Sequence, residues 1–382
     1  MTPLLRKLLA MNWLLVAVVT SLCLFGIYAI YSATWMRTDV ELTEAWHKQT
    51  TWLGIGLAVF FVTSLLHYRW VLWGCLPAYL AGVGLLVYTR MNGLEIKGAK
   101  SWIDLGPFNL QTSQVALVGG ILLLAVVLSQ FRRLHPLLKI LICGALVCVP
   151  LVMILVQPDL GSVIIWVPMV AAMLFVGGIP RRYLLALILL GLALLPLVIN
   201  FGLKDHQRSR LTTFLDPDYD PLGISWNINR SLEAIGSGGW TGKGFKASDT
   251  LNEMGMLGKD IAHNDFIFAV LGEQHGFLGG LVVLGGFALL LLICLYIAFS
   301  AADLLGTLLA TGFTTVVFAH VFQNVGMTIA LTPITGVPLP FISYGGTFLV
   351  VMLFGMGIIQ SVAVHRDTPA RAPAPEDRLS TR

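Results

Sequence analysis

Ten apolar runs, most near the ~20 residues that a helix needs to cross a bilayer, constrain this chain more than any other feature. They cover residues 13–32, 51–66, 70–88, 113–128, 137–156, 161–176, 184–202, 266–299, 304–323 and 347–364. Only 12% of the residues are charged, about half the share of a soluble domain. The chain is therefore expected to be an all-α polytopic membrane protein of about ten transmembrane helices. The run 266–299 exceeds one crossing, which predicts a tilt or an end standing in water. The first run follows a short basic segment with Arg6 and Lys7. It is too long for the apolar stretch of a signal peptide and reads as a retained span.

Short loops set the orientation. Arg6/Lys7, His67/Arg69, Arg132/Arg133/Lys139, Arg181/Arg182 and the segment from His365 fall on one side, which the positive-inside rule makes cytoplasmic. Both termini are then inside. One domain, 1–366, is expected, with a large extracytoplasmic loop, 203–264, between helices 7 and 8 and a broken segment before helix 10. The tail 367–382, rich in Pro, Ala and Arg, reads as disordered. All five cysteines lie in apolar runs without a CxxC or Cys/His cluster, so neither a disulfide framework nor a zinc site is indicated. Charges in the large loop nearly balance, which argues against nucleic acid as a partner.

The outer side collects the unusual sequence. Asp265, preceded by His263 and Asn264, stands at the lip of the longest apolar run. It reads either as a helix N-terminal cap or as a carboxylate facing a wet cavity, because an acid at membrane depth must be hydrated or paired. Asp159, in Gln157-Pro158-Asp159-Leu160-Gly161, carries the same two readings. The large loop holds Arg208 and Arg210, a turn-rich stretch 216–221, an amphipathic piece 224–235 and a glycine cluster 236–244. That cluster lacks the phosphate-loop spacing, so its use is close backbone approach to a ligand or to another segment. Arg208/Arg210 and Lys243/Lys246 form positive spots able to meet a phosphate. The Pro- and Gly-rich stretch 332–346 cannot be a regular helix. Such backbone survives near lipid only where protein buries it or it lines a cavity. No internal repeat and no metal signature is found.

Six motifs in order resemble the SEDS family (shape, elongation, division and sporulation) of bacterial peptidoglycan glycosyltransferases. They are Gly98-Ala99-Lys100-Ser101-Trp102-Ile103, Gln157-Pro158-Asp159-Leu160-Gly161, Phe214-Leu215-Asp216-Pro217, Ala234-Ile235-Gly236-Ser237-Gly238-Gly239, the segment 265–273 and the segment 338–346. Asn324-Val325-Gly326-Met327-Thr328 and Thr335-Gly336-Val337-Pro338 resemble the rod-elongation branch more than the division branch. The resemblance implies polymerisation of lipid II into glycan strands at the outer leaflet of a bacterial inner membrane during cell elongation. Transfer would be inverting, with release of undecaprenyl pyrophosphate. It puts the catalytic carboxylate at Asp265, as general base. The residues expected to bind substrate or shape the site are Lys100, Trp102, Asp159, Arg208, Arg210, Ser231, Gly238, Lys243, His263, Asn264 and Ser343. Positive charge for the pyrophosphate would come from Arg208, Arg210, Lys100 or a divalent cation such as Mg or Mn. The nascent glycan and a class B penicillin-binding protein, a transpeptidase, are the implied partners.

The chain departs from the family pattern at several points. The family's Glu and Lys after Trp102 are here Gln114 and Leu117, a joint loss that marks a structural pair. Asn264 replaces a Thr, Arg230 a Gln, and 256–260 a Leu-Pro-Glu run. Three other readings stay open: a lipid II flippase or transporter, suggested by broken helices and intramembrane acids; a division-branch polymerase; and a scaffold for a partner enzyme.

Overall fold

A computed structural model of the chain describes residues 2–35, 40–96, 99–106, 108–197, 199, 202, 205–216, 223–247, 249–258 and 261–366. Helices run in the order α1 (Pro3–Leu9), α2 (Trp13–Thr34), α3 (Val40–Thr43), α4 (Ala45–Leu65), α5 (Val71–Asn92), α6 (Thr112–Gln130) and α7 (Pro136–Val156). There follow α8 (Leu160–Val176), α9 (Arg181–Leu197), α10 (Asp205–Leu215), α11 (Ile224–Ser237), α12 (Ile267–Phe299), α13 (Leu304–Thr328) and α14 (Gly346–Val364). Every expected span meets a helix among the described residues, the end of 184–202 passing beyond α9 into residues that are only partly described. Among the described residues seven helices are long and apolar enough to cross a membrane, and α8 is apolar but shorter. The loop holds α11 as its amphipathic piece and also α10, which the sequence did not signal. Its stretch 217–222 and the tail 367–382 lie outside the described residues.

The all-α expectation gains one addition. Between α5 and α6 lies a three-stranded antiparallel sheet, β1 (Leu94–Ile96), β2 (Ala99–Asp104) and β3 (Asn109–Gln111), in the order β1-β2-β3. Trp102 pairs with Leu94 on one side and Gln111 on the other.

Helix α13 is the hub, packed against α6, α8, α12 and α14. Small residues let neighbouring backbones approach: a Cβ on Gly82 of α5 would lie 2.7 Å from Ala116 Cα of α6. Without a hydrophobic drive between helices in lipid, such close packing supplies the attraction. At one end of the bundle Lys7 Nζ donates to Leu65 O (2.8 Å) and the His67 and His365 rings lie 4.5 Å apart. Arg69 pairs there with Asp303 at 3.0 Å, and Asp303 also caps α13. Both ends of the described chain therefore sit at the same end of the bundle. The broken segment before α14 sits at the other.

The long helix α12 is two helices joined at Gly276, whose φ of 64° and ψ of −163° break the ladder. The glycine-rich loop after α11 takes up the freed groups. Phe277 N donates to Gly239 O (2.8 Å) and Leu278 N to Trp240 O (3.1 Å), while Lys243 N and Gly244 N donate to Glu273 O and Gln274 O, both at 3.0 Å. Backbone polar groups at membrane depth need such partners. Glu273, fully buried, accepts from Lys243 Nζ (2.8 Å) and Leu251 N (2.7 Å). The glycine cluster thus serves approach to another segment. The excess length of α12 is its first part, Ile267 to His275, enclosed by the loop.

Candidate active site

Two irregular segments meet at the end of the bundle away from the termini: the turn 261–266 before α12, and 333–345 before α14. Three successive carbonyls of the turn are held from outside it. His263 O accepts from Tyr344 N (3.0 Å), Asn264 O from Ser343 Oγ (2.6 Å) and Asp265 O from Asn324 Nδ2 (2.9 Å). Ser343 Oγ also accepts from Leu339 N (2.8 Å), so this hydroxyl is a crosspiece between the segments. Gln49, 1% exposed, fixes the same stretch: its Nε2 donates to Ser343 O (3.3 Å) and its Oε1 accepts from Gly345 N (3.2 Å).

Asp265 is 4% exposed. It does not cap α12: the N-cap position belongs to Phe266, with no side-chain cap bond. The cap reading fails here. Gly336, at φ +70°, walls the carboxylate, since a Cβ there would sit 3.4 Å from Asp265 Oδ2.

Asp159 does cap its helix, accepting from Ser162 N at 3.0 Å. Its Oδ2 also accepts from Ser162 Oγ (2.7 Å), Ser113 Oγ (3.2 Å) and Gln111 Nε2 (3.4 Å). A small cavity of about 20 Å³, room for about one water, lies among Gln114, Asp159, His320 and Gly336. The two carboxylates are linked electrostatically through Arg210, which is half-buried on α10. Burial lowers the Arg210 pKa, and the charges of Asp265 and then Asp159 oppose that shift. Opposite charges close by favour the charged form of the guanidinium.

The other expected residues divide. His263, Asn264 and Ser343 join Asp159, Arg210 and Asp265 at the site. Arg208 is exposed on α10. Lys100 Nζ donates to Met91 O (3.2 Å), and Trp102 sits half-buried in the sheet. Gly238 and Lys243 belong to the clasp on α12. Glu273, which holds Lys243, is eight residues past Asp265, roughly 12 Å along a helix. Ser231, fully buried, donates to Thr328 O (2.7 Å) and ties α11 to α13. Sequence reasoning passed over Gln49, Gln323 and Asn324, although a polar side chain at membrane depth is itself a signal.

Gln114 and Leu117 are both buried, at 5% and 3% exposure. Restoring only the acid, Gln114→Glu, sets an uncompensated charge beside Asp159 and is expected to destabilise by about 3 kcal/mol or more. Adding Leu117→Lys should recover most of the loss. Thermal melting of the purified protein measures both, and equal melting of the single and double variants would contradict a structural pair.

The fold and site define a polytopic helical membrane protein with a buried carboxylate, Asp265, and the half-buried Asp159 and Arg210 at one end of its bundle. The chain belongs to the FtsW/RodA/SpoVE family of cell cycle proteins, whose model matches residues 12–368. It is 34% identical to the peptidoglycan glycosyltransferase MrdB of Escherichia coli K12 over 91% of this chain and 92% of that one. Stage V sporulation protein E of Bacillus subtilis is 33% identical over 92% of this chain and 96% of its own. Among solved structures, Thermus thermophilus rod shape determining protein RodA superposes with a TM-score of 0.70 at 29% identity, covering 95% of this chain and 99% of that one. A chain from a peptidoglycan synthase complex that coordinates polymerisation and crosslinking gives 0.79 at 29% identity, covering 94% and 99%.

Proposed function

We infer that this chain is a peptidoglycan glycosyltransferase of the elongation type, with Asp265 as general base and Arg210 as the cation facing the departing pyrophosphate. The observation that carries the reading is the buried Asp265 where the two irregular segments meet, its carbonyl held by Asn324 and its carboxylate set against Gly336. The GlcNAc 4-hydroxyl of one lipid II attacks the MurNAc C1 of the growing chain. The C1–O bond to pyrophosphate breaks, the hydroxyl proton passes to Asp265, and undecaprenyl pyrophosphate leaves. One in-line displacement inverts the α linkage to β-1,4, so no protein nucleophile is needed. Developing phosphate charge draws on Arg210, the loop cation within electrostatic reach of both carboxylates. Lys243 is committed to Glu273 and Lys100 to a helix end, which leaves Arg210 the better placed cation.

The described residues offer no ready-made cluster of donors for a resident Mg or Mn ion. Among the described residues no three His, Cys, Asp or Glu side chains converge. Asp159 already accepts four hydrogen bonds. A divalent cation, where required, is proposed to arrive on the substrate's pyrophosphate. Basic loops at the end opposite the site support an extracytoplasmic site in a bacterial inner membrane with both termini inside. The relative in a synthase complex supports a transpeptidase partner of the class B penicillin-binding type.

Purified chain with a transpeptidase partner should convert labelled lipid II into glycan polymer on gels. Arg210→Gln should lower kcat about 10²-fold or more, with Arg208→Gln within a few-fold. Leaflet transfer of labelled lipid II without any polymer would instead establish the transporter reading.

A further inference from the structure

The acid of the site is placed by a side chain on another helix. Asn324, on α13, is fully buried, and its Nδ2 donates both to Asp265 O (2.9 Å) and to Val337 O (2.7 Å). Val337 follows Gly336, the residue that walls the Asp265 carboxylate. One carboxamide therefore holds the backbone of the acid and the segment that faces its side chain.

The neighbouring amide does half of this. Gln323 Nε2 donates to Pro333 O and to Thr335 Oγ1, both at 3.0 Å, and so anchors the broken segment without reaching Asp265. The turn also carries its own backbone bonds, Ile261 N and Ala262 N to Gly258 O (both 3.1 Å), Asn264 N to Ile261 O (3.2 Å) and Phe266 N to Ile261 O (2.9 Å). The other end of the Asn324 amide, Oδ1, is buried and has no hydrogen-bond partner among the described residues. Asp at the same position would turn lone pairs toward two carbonyls, and Ser would offer one short donor.

We propose that Asn324 is a positioning residue for glycosyl transfer, setting the Asp265 carboxylate against the Gly336 wall without touching substrate. It rests on Asp265 being the base. Misplacement of a reacting group by about 1 Å costs on the order of 10²-fold in rate.

The test uses the full chain with its transpeptidase partner, comparing wild type, Asn324→Ser, Asn324→Asp and Gln323→Leu. Steady-state polymerisation across lipid II concentrations should show kcat down roughly 10- to 100-fold in both Asn324 variants. KM should stay within about 3-fold, because Asn324 makes no substrate contact. Gln323→Leu should lose clearly less. Hydrogen–deuterium exchange supplies the second readout: in Asn324→Ser the amides of 261–266 should exchange faster while α13 stays protected. Unchanged kcat, a KM that rises in step with the loss, or exchange spreading along α13 would each overturn the proposal. Should Asp265→Asn polymerise normally, the reading of Asp265 fails, while the exchange measurement still reports whether Asn324 holds the turn.

Discussion

Asp265→Asn is expected to yield no polymer above about 10⁻² to 10⁻⁴ of the wild-type rate, the range a positioned general base supplies. The substitution keeps size and shape, and the backbone at Asp265 is held independently of its carboxylate, through the carbonyl that Asn324 binds. The flanking carbonyls of His263 and Asn264 keep their own partners, Tyr344 N and Ser343 Oγ. Melting temperature and partner binding should therefore change little while transfer stops. Lipid II binding should persist, since Arg210 retains Asp159 as a counter-charge. A transporter would respond differently: leaflet transfer would fall and no polymer would be at stake. Normal glycan strands from Asp265→Asn would remove the acid from the mechanism.

Much of this was legible in the sequence because membrane helices announce themselves by composition. The ten helical runs and the broken segment before α14 follow from where apolar runs start and where Pro and Gly interrupt them. Asp265 was legible as a site residue, but its relation to α12 was not. Cap position depends on backbone geometry one residue at a time, and the helix begins two residues beyond Asp265. Asp159 shows the opposite case, where the cap is present. Lys243 looked like a phosphate ligand because it sits among glycines. Its commitment to Glu273 is a contact between residues 30 apart, which no local pattern displays. Asn324 was visible only as part of a motif of the elongation branch. Its two acceptors lie 59 and 13 residues away.

Gly276→Ala should be the most damaging substitution outside the site. Its φ of 64° with ψ of −163° lies in a region only glycine populates, so any side chain adds about 1–3 kcal/mol of strain. A Cβ would also stand 2.7 Å from Thr241 N and from the Trp240 carbonyl carbon, both backbone atoms unable to swing aside. The loop must then retreat. Its retreat strands the bonds between Gly239, Trp240, Lys243 and Gly244 and the two halves of α12, and each buried group left unpaired costs about 1–3 kcal/mol. Several such losses exceed the margin of a typical protein, so the variant should express poorly or melt far below wild type. Surviving protein should be cut by protease within 239–258. Gly236→Ala is the control, because a Cβ there meets nothing within 4 Å and the residue lies inside α11. A helical Gly→Ala change is neutral or mildly stabilising, by up to about 1 kcal/mol. If the two glycines proved equally tolerant, the break in α12 would owe nothing to the loop that encloses it.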